Sequence, residues 1–367
     1  MAKPCLYVLV TNSLHQDQRL HRICDTLTLN DYDIILVGKK DSKPAFKSKV
    51  FKTASLNTVF KSGVLFYLEI NLRFFFFLLF KKFDGVVVND LDSLLAGKLI
   101  TTLKRKKLFI DLHEYFTEVP ELKNRRFKKW IWDMVGRIGI SDRSINYTVN
   151  YSLAKILGEK YKANFETIYN YPITINNEEH ISQTESFDLV YVGVVNKGRG
   201  LREAIFAVND LDDMTLTIFG VGDEYDQISN IIIEQNLTSK IFLKGFIPNN
   251  NISAQLQTFD LGLNLLDSTS HNYYYSSANK YFDYMMAGIP TLSMNFPEYK
   301  KHNEQHKTSV LIDTLDIKLI KATLLNIKNN PSLLRDLKSN CTQAKQIFNW
   351  QSQASKLLKI YNSIFNL

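Results

Sequence analysis

The chain has 367 residues, of which 45% are hydrophobic and 22% charged, and its formal net charge is +8. This composition is that of a folded globular protein and excludes a disordered chain, and the length favours two domains over one. The positive charge predicts an anionic partner, such as a phosphorylated metabolite or an anionic membrane surface. Because no nucleic-acid-binding motif is present, we do not expect nucleic acid.

Cysteine usage and the first residues predict a cytoplasmic protein. Cys5, Cys24 and Cys341 lie far apart, without the spacing of a metal or redox site, and are expected to be reduced thiols. An apolar strand begins by Leu6, with no signal-peptide pattern before it, so secretion is not expected.

Strand and helix patterns alternate along the whole chain and predict two α/β domains. In the first half, strands are predicted over residues 6–10, 34–37, 86–88, 108–110 and 145–149. After a polar linker at 170–186, strands are predicted over 189–193, 216–220, 241–243, 261–263 and 291–292, followed by two closing helices. Repeated units of this kind give doubly wound parallel sheets, so we predict two Rossmann-like domains facing a cleft, over residues 1–172 and 187–348. Residues 349–367 are predicted to form a helix that returns to the N-terminal domain.

Two segments suggest contact with a membrane. Residues 74–80 are very apolar, but Glu69, Asn71 and Arg73 leave too short a run to span a bilayer. A buried core helix is the favoured interpretation, and an interfacial helix is the alternative. Residues 123–132 combine five basic side chains with two tryptophans, which suits an anionic headgroup layer or, equally, a solvated basic face. Peripheral attachment to the inner face of the membrane is therefore an open expectation.

The candidate residues of the N-terminal half follow its strands, where ligands of doubly wound sheets bind. Asp17 is placed to cap a helix, and Arg19 to pair with it or to reach a phosphate. Asp90 and Asp92 resemble a metal-binding Asp-x-Asp pair, although a structural role with substrate contact is favoured over a metal site. His113 and Glu114 follow the strand at 108–110, which places them at the cleft, and a structural role for His113 is as well supported as a functional one.

Two glycine-containing turns follow the first two strands of the C-terminal half. The turn 193–201 brings Lys197 and Arg199 to a flexible backbone, which predicts a diphosphate clamp. The turn 219–224, with Gly220 and Gly222, carries acids and is expected to line the base and the ribose. Neither turn has the Gly-x-Gly-x-x-Gly pattern of a dinucleotide site, which argues against an NAD-dependent enzyme.

The most informative segment is 276–290, which reads as a helix start, a short helix and the stop signals Gly288 and Pro290. Ser277 and Asn279 lie at the helix start, where backbone N–H groups are available to an anion. Lys280 adds a cation there, and Asp283 lies one turn further on. This arrangement can hold a phosphate and an adjacent sugar diol.

Together these segments resemble a glycosyltransferase of the GT-B fold, specifically family 4, which is retaining and dependent on nucleotide-sugars. The motif at 111–116 is similar to the His-Glu strand end of the family, 193–201 and 219–222 are similar to the turns of its donor domain, and 277–290 is similar to a signature of one branch. Some positions depart from the family. Its paired glutamates fall on Tyr275 and Asp283, its phosphate-binding arginine falls on Val194, and Arg199 stands where its lysine is expected.

The resemblance implies transfer of a sugar from a UDP- or GDP-sugar to a cell-envelope glycan or a lipid-linked acceptor. It implies His113, Arg199 and Lys280 as catalytic residues, with no metal or other cofactor required. Donor binding would use Lys197, Gly220, Gly222, Ser277, Asn279 and Asp283. The acceptor side would use Asp17, Arg19, Asp90, Asp92 and Glu114. A GT-B epimerase or donor-sugar hydrolase, and a degenerate nucleotide-binding protein without activity, are the alternatives.

Overall fold

A computed structural model describes residues 2–15, 17–41, 46–119, 122, 125–174 and 186–367 of the chain. The linker predicted at 170–186 and the basic segment predicted at 123–132 therefore lie partly outside the described residues. The chain forms two compact units, Met1–Asn170 together with Gln353–Leu367, and Tyr171–Ser352.

The N-terminal unit is built on a seven-stranded sheet in which every pair of neighbours is parallel. Its strands are β1 (Cys5–Ser13), β2 (Asp33–Lys39), β3 (Lys52–Leu56), β4 (Gly85–Asn89), β5 (Lys107–Leu112), β6 (Ile145–Thr148) and β7 (Phe165–Thr167). The strand order is β3-β2-β1-β4-β5-β6-β7. β3 and β7 were not predicted, because short edge strands carry no continuous apolar run.

The helices of this unit cover the sheet. They are α1 (Gln18–Leu29), α2 (Gly63–Leu79), α3 (Leu94–Lys104), α4 (Arg126–Gly139) and α5 (Tyr151–Tyr161), with a short 3-10 turn at Phe116–Glu118. The last helix of the chain, which is α14 (Trp350–Phe365), packs here through Tyr361, whose ring stacks on Phe109 with centroids 4.3 Å apart. Among the described residues, no helix is both long and apolar enough to cross a membrane.

The C-terminal unit contains a second parallel sheet, of six strands. They are β8 (Phe187–Val192), β9 (Met214–Phe219), β10 (Ile241–Gly245), β11 (Leu261–Asn264), β12 (Thr291–Met294) and β13 (Ser309–Ile312), in the order β10-β9-β8-β11-β12-β13. Its helices are α6 (Leu201–Asn209), α7 (Tyr225–Glu234), α8 (Asn249–Leu256), α9 (His271–Tyr274), α10 (Asn279–Ala287), α11 (Pro297–Gln305), α12 (Ile317–Lys328) and α13 (Pro331–Ala344).

Both sheets are doubly wound, as the sequence predicts. In each sheet the next two strands along the chain lie on one side of the first strand, and the later strands lie on its other side. This reversal of strand order creates a switch point beside the first strand. The switch points lie between β1 and β4 in the N-terminal unit and between β8 and β11 in the C-terminal unit. Crevices at the carboxyl ends of these strands are the places where such sheets bind ligands.

Candidate functional site

Helix α10 begins beside the switch point of the C-terminal unit. Asn279 is its first residue, and Gly288 ends it in a left-handed conformation with φ of 80°. The predicted start and stop signals are thus confirmed. The first-turn position of Lys280 places its side chain against the end of β8, since its amine approaches the backbone of Gly193.

The amine of Lys280 is buried without a conventional partner. Lys280 is only 5% exposed, and its Nζ has no hydrogen-bond partner among the described residues. The amine instead lies over the ring of Tyr191, 3.6 Å from the centroid. Burial lowers the pKa of Lys280 well below its usual value, and the positive charge of Arg199 lowers it further. An anion bound beside this buried amine would stabilise its charged form and accept its hydrogen bonds, so the site favours anion binding.

Arg199 contributes a second cationic group to this cluster. Its guanidinium stacks on Tyr273, 4.6 Å from the ring centroid, and its buried Nε has no hydrogen-bond partner in the described part of the chain. Buried polar groups are ordinarily hydrogen-bonded, so two unpaired cationic donors near each other are unusual. The structure brings together Arg199 and Lys280, which the sequence places 81 positions apart.

Two tyrosines hold the cluster in place, and sequence reasoning missed both. The hydroxyl of Tyr284 accepts from the backbone N–H of Val192 at 2.9 Å and lies 3.3 Å from the carbonyl oxygen of Leu263, so it joins β8 to β11 at the switch point. The hydroxyl of Tyr299 accepts from the backbone N–H of Ala278 at 3.0 Å, which fixes the start of α10. A tyrosine at helical spacing among apolar residues resembles a core residue, and its hydroxyl gives no separate pattern in the sequence.

The glycines of the two turns serve backbone packing. A Cβ added to Gly220 would lie 1.8 Å from the carbonyl oxygen of Gly193, and one added to Gly222 would lie 2.3 Å from Oδ1 of Asn196. The turn after β9 therefore rests directly on the turn after β8. Direct contact of Gly220 and Gly222 with a donor stays a prediction.

Replacing Gly220 with alanine should destabilise the protein through this contact. The control is Gly245→Ala, because Gly245 also has a positive φ, of 67°, but has open space around its Cβ position. We expect Gly220→Ala to lower the free energy of unfolding by at least about 2 kcal/mol more than the control does. Urea unfolding measures both. Equal losses of stability in the two variants would show that backbone conformation, and not the contact with Gly193, requires glycine at position 220.

The other predicted donor residues lie around the start of α10 and on the first turn. Ser277 and Asp283 are half-buried, while Asn279 and Lys197 are exposed. Asp283 lies on α10 one turn after Lys280, as the spacing predicts. Their contacts with a donor remain predictions.

In the N-terminal unit, Arg19 forms a buried ion pair with Asp111 at the carboxyl end of β5. Its Nε and Nη2 donate to the two carboxylate oxygens at 3.0 and 2.8 Å, and its Nη1 donates to the carbonyl of Ile168 at 2.6 Å. Arg19 is 3% exposed and Asp111 is fully buried. Arg19 therefore pairs with Asp111 and not, as predicted, with Asp17, and its guanidinium stabilises the fold. We do not propose that Arg19 contacts an acceptor.

His113 belongs to the same network. Its Nε2 lies 3.0 Å from Oδ2 of Asp111, and its Nδ1 lies 3.7 Å from Asp17 and 3.8 Å from Asp90. Burial alone would lower the pKa of His113, but the carboxylates of Asp111 and Asp90 raise it to about 10. His113 is thus an imidazolium among carboxylates at neutral pH. Its contact with a donor sugar stays a prediction.

The other acids predicted on this side have distinct environments. Asp17 caps α1 by accepting from the N–H of Leu20, as predicted. Burial raises the pKa of Asp90 to about 7 and that of Asp92 to about 6. Asp92 accepts a hydrogen bond from the hydroxyl of Thr11, while Glu114 is exposed. A structural role for Asp92 with substrate contact stays a prediction.

No three histidine, cysteine or acidic side chains in the described ranges are arranged to hold a metal ion. Independence from a metal stays a prediction.

The raised pKa of His113 predicts a specific dependence of stability on pH. Unfolded histidine has a pKa near 6.5, so the stabilisation is fully present below that pH and is lost as the pH rises through about 10. Above pH 7, where Asp90 has titrated, the contribution of His113 to the free energy of unfolding should fall by roughly 1.4 kcal/mol per pH unit. The slope of the free energy of unfolding against pH, measured by urea unfolding, should therefore be less negative or more positive by that amount in His113→Asn than in the unmodified protein. An unchanged slope in the variant would contradict the charged network.

Comparison with known proteins identifies a family for part of the chain. Residues 173–344 match the family model of group 1 glycosyl transferases. A search of curated proteins found no match.

Solved structures share the fold over nearly the whole chain. A sucrose-phosphate synthase from Thermosynechococcus elongatus has a TM-score of 0.79 at 14% identity, with 99% of this chain and 100% of that chain covered. HepE from Anabaena in complex with UDP and glucose has a TM-score of 0.75 at 14% identity, over 98% of this chain and 100% of that chain. WaaG, a glycosyltransferase involved in lipopolysaccharide biosynthesis, has a TM-score of 0.71 at 13% identity, over 97% and 99% of the two chains.

At these identities the similarity establishes the fold, while the family match over 173–344 establishes a group 1 glycosyl transferase domain in that part of the chain. The predicted GT-B fold and glycosyltransferase activity are both confirmed. The chain has the GT-B fold and carries a group 1 glycosyl transferase domain in its C-terminal half.

Proposed function

We propose that this protein transfers a sugar from a nucleotide diphosphate donor to a cell-envelope glycan or a lipid-linked acceptor, with retention of configuration, as a member of family 4. The observation that carries the proposal is the pair of buried donor atoms Nζ of Lys280 and Nε of Arg199, neither of which has a hydrogen-bond partner among the described residues. A diphosphate supplies the charge and the acceptor oxygens that both groups lack. That HepE has been solved with UDP and with UDP-glucose supports a nucleotide-sugar as the donor.

In this proposal the C-terminal unit binds the donor and stabilises the leaving group. The bond between the anomeric carbon and the diphosphate oxygen breaks, and the acceptor oxygen forms the new bond to that carbon. The acceptor proton passes to the departing phosphate, as the family resemblance implies. Lys280 and Arg199 stabilise the negative charge that develops on the diphosphate. Two protein cations in this position make a divalent metal unnecessary, so transfer should survive treatment with EDTA.

The acceptor is assigned to the N-terminal unit, whose strand ends carry Asp17, Asp90, Asp92 and Glu114. Carboxylates at the carboxyl edge of a sheet can accept hydrogen bonds from sugar hydroxyls. The role of WaaG in lipopolysaccharide biosynthesis supports an envelope acceptor. A cytoplasmic location at the inner face of the membrane is part of the same proposal.

A thermal-shift screen of UDP-, GDP- and ADP-sugars tests the donor assignment. A ligand at a hundred times its dissociation constant should add about 2.7 kcal/mol of stability, which is visible as a shift in melting temperature. No shift with any nucleotide-sugar would contradict the proposal. Release of free sugar from the stabilising donor, with transfer to no acceptor, would favour a hydrolase.

Asp283 is assigned to the ribose hydroxyls of the donor. Asp283→Ala should weaken binding of the nucleotide about tenfold or more, because hydrogen bonds to a charged acceptor are among the strong ones. Asp226→Ala, which removes an exposed acid from α7, is the control and should leave affinity unchanged. Unchanged affinity of Asp283→Ala by calorimetry would remove this residue from the site.

A further inference from the structure

Helix α2 is apolar on two opposite faces. One face packs into the core of the N-terminal unit through Phe66, Ile70, Phe74 and Leu78. The other is exposed and carries Leu65, Leu68, Leu72 and Phe76, and it continues to Phe80 just beyond the helix. Phe76 is 57% exposed and Phe80 is 84% exposed. The prediction that residues 74–80 form a buried core helix is therefore right for Phe74 and wrong for Phe76 and Phe80.

The two following helices also expose large apolar side chains. On α3 these are Leu99 and Leu103, one turn apart. On α4 they lie three and four residues apart and thus on one face: Phe127, Trp130, Met134 and Ile138. Trp130 is 57% exposed, and its ring stacks on that of Phe127 with centroids 6.0 Å apart.

The three helices lie side by side in one layer. The ring of Tyr67 on α2 contacts Trp132 on α4, with centroids 5.0 Å apart. The amide of Asn71 on α2 accepts from the N–H of Ala96 on α3 at 3.0 Å, and α3 in turn packs on Gly139 at the end of α4. The outward sides of these helices thus form one surface, which we call the apolar face: Leu65, Leu68, Leu72, Phe76, Phe80, Leu99, Leu103, Phe127, Trp130, Met134 and Ile138.

Basic side chains surround the apolar face. They are Lys81, Lys82, Arg105 and Lys107 beside the ends of α2 and α3, and Arg125, Arg126, Lys128 and Lys129 at the start of α4. The three helices themselves contain two acids, Glu69 and Asp133, and each is paired with an arginine of its own helix. The surroundings of the apolar face are therefore strongly positive.

We propose that the apolar face is a docking surface for an anionic phospholipid bilayer. Leucine, phenylalanine and tryptophan side chains would enter the boundary between headgroups and acyl chains, while the lysines and arginines around them bind lipid phosphates. Charge selects this occupant over a second copy of the chain, because two such surfaces would bring like charges together. An exposed apolar area of this size is otherwise unfavourable in water. This inference concerns a surface of the N-terminal unit and does not depend on the identity of the donor or the acceptor.

Binding to vesicles tests the proposal without any sugar substrate. The full chain should sediment with phosphatidylcholine vesicles that contain phosphatidylglycerol, and much less with phosphatidylcholine alone. Binding should shift tryptophan emission to the blue, and Trp130→Phe should remove most of that shift while sedimentation is retained. Equal binding to both kinds of vesicle, or to neither, would overturn the proposal.

Two double variants separate the apolar and the electrostatic contributions. Leu72→Ser with Phe76→Ser should weaken binding on the order of 100-fold. Arg126→Gln with Lys128→Gln should weaken it about 30-fold, as expected for two basic residues at an anionic surface.

The matched controls are Ile233→Ser with Phe246→Ser, and Lys244→Gln with Lys318→Gln, all at exposed positions of the C-terminal unit. These should bind like the unmodified protein. If the control variants lose as much vesicle binding as the test variants, the assignment of the apolar face is contradicted. It is also contradicted if the protein is dimeric by light scattering and becomes monomeric in Leu72→Ser with Phe76→Ser.

Discussion

Replacing Lys280 with methionine should strongly slow sugar transfer and at the same time raise the free energy of unfolding. The amine is buried without a hydrogen-bond partner among the described residues, and burial lowers its pKa well below the usual value. Methionine has a similar shape without the polar group, so we expect a gain of about 1–3 kcal/mol in the protein alone. Loss of charge stabilisation at the leaving diphosphate should lower the transfer rate on the order of 100-fold to 1000-fold.

Urea unfolding and a transfer assay on the same preparation measure the two effects. Lys197→Met is the matched control, because Lys197 is exposed on the neighbouring turn and its removal should leave stability nearly unchanged. A Lys280→Met protein that is less stable and still active would show that the amine serves the fold. The opposite signs of the two effects identify a residue that is retained for binding at the expense of stability.

Replacing Arg19 with methionine should cause the largest loss of stability in the N-terminal unit. The change would leave Asp111 fully buried with only His113 as a cationic partner, and it would remove the donor to the carbonyl of Ile168. Removing one partner of a buried ion pair costs about 3–5 kcal/mol. Arg137→Met is the control, because Arg137 forms an exposed ion pair with Asp133, and exposed pairs contribute little.

A double variant distinguishes the lost pair from a general packing defect. In Arg19→Met with Asp111→Asn, no uncompensated carboxylate remains, so part of the lost stability should return. Urea midpoints of the two single variants and the double variant give the coupling free energy. Strictly additive losses would contradict the interpretation of Arg19 and Asp111 as one unit.

The sequence predicts the fold well because continuous apolar strands and amphipathic helices alternate along it. Ten strands were placed from this pattern, and the doubly wound topology followed. The edge strands β3, β7 and β13 were missed. They are short and partly exposed, so the local pattern differs little from that of a loop.

The sequence identified residues of the candidate site but predicted only part of their arrangement in space. Lys280 and Arg199 were identified because strand ends and helix starts are recognisable in a sequence. The bidentate pair of Arg19 with Asp111 joins positions 92 apart and depends on the register of three parallel strands. Likewise, the hydroxyls of Tyr284 and Tyr299 bond to backbone groups that are distant along the chain, and such partners become visible only in the folded chain.

The most direct test of the central claim, that Lys280 and Arg199 bind the diphosphate, is calorimetry of nucleoside diphosphate binding in buffers of different ionisation enthalpy. The ligand is the diphosphate whose sugar gives the largest thermal shift, and the pH is set between the lowered pKa of Lys280 and the usual 10.5. An anion beside the amine raises its pKa, so binding should take up a proton. Lys280→Met should bind about 10-fold to 100-fold more weakly and without that proton. Equal affinity and equal proton uptake in the two proteins would contradict the claim.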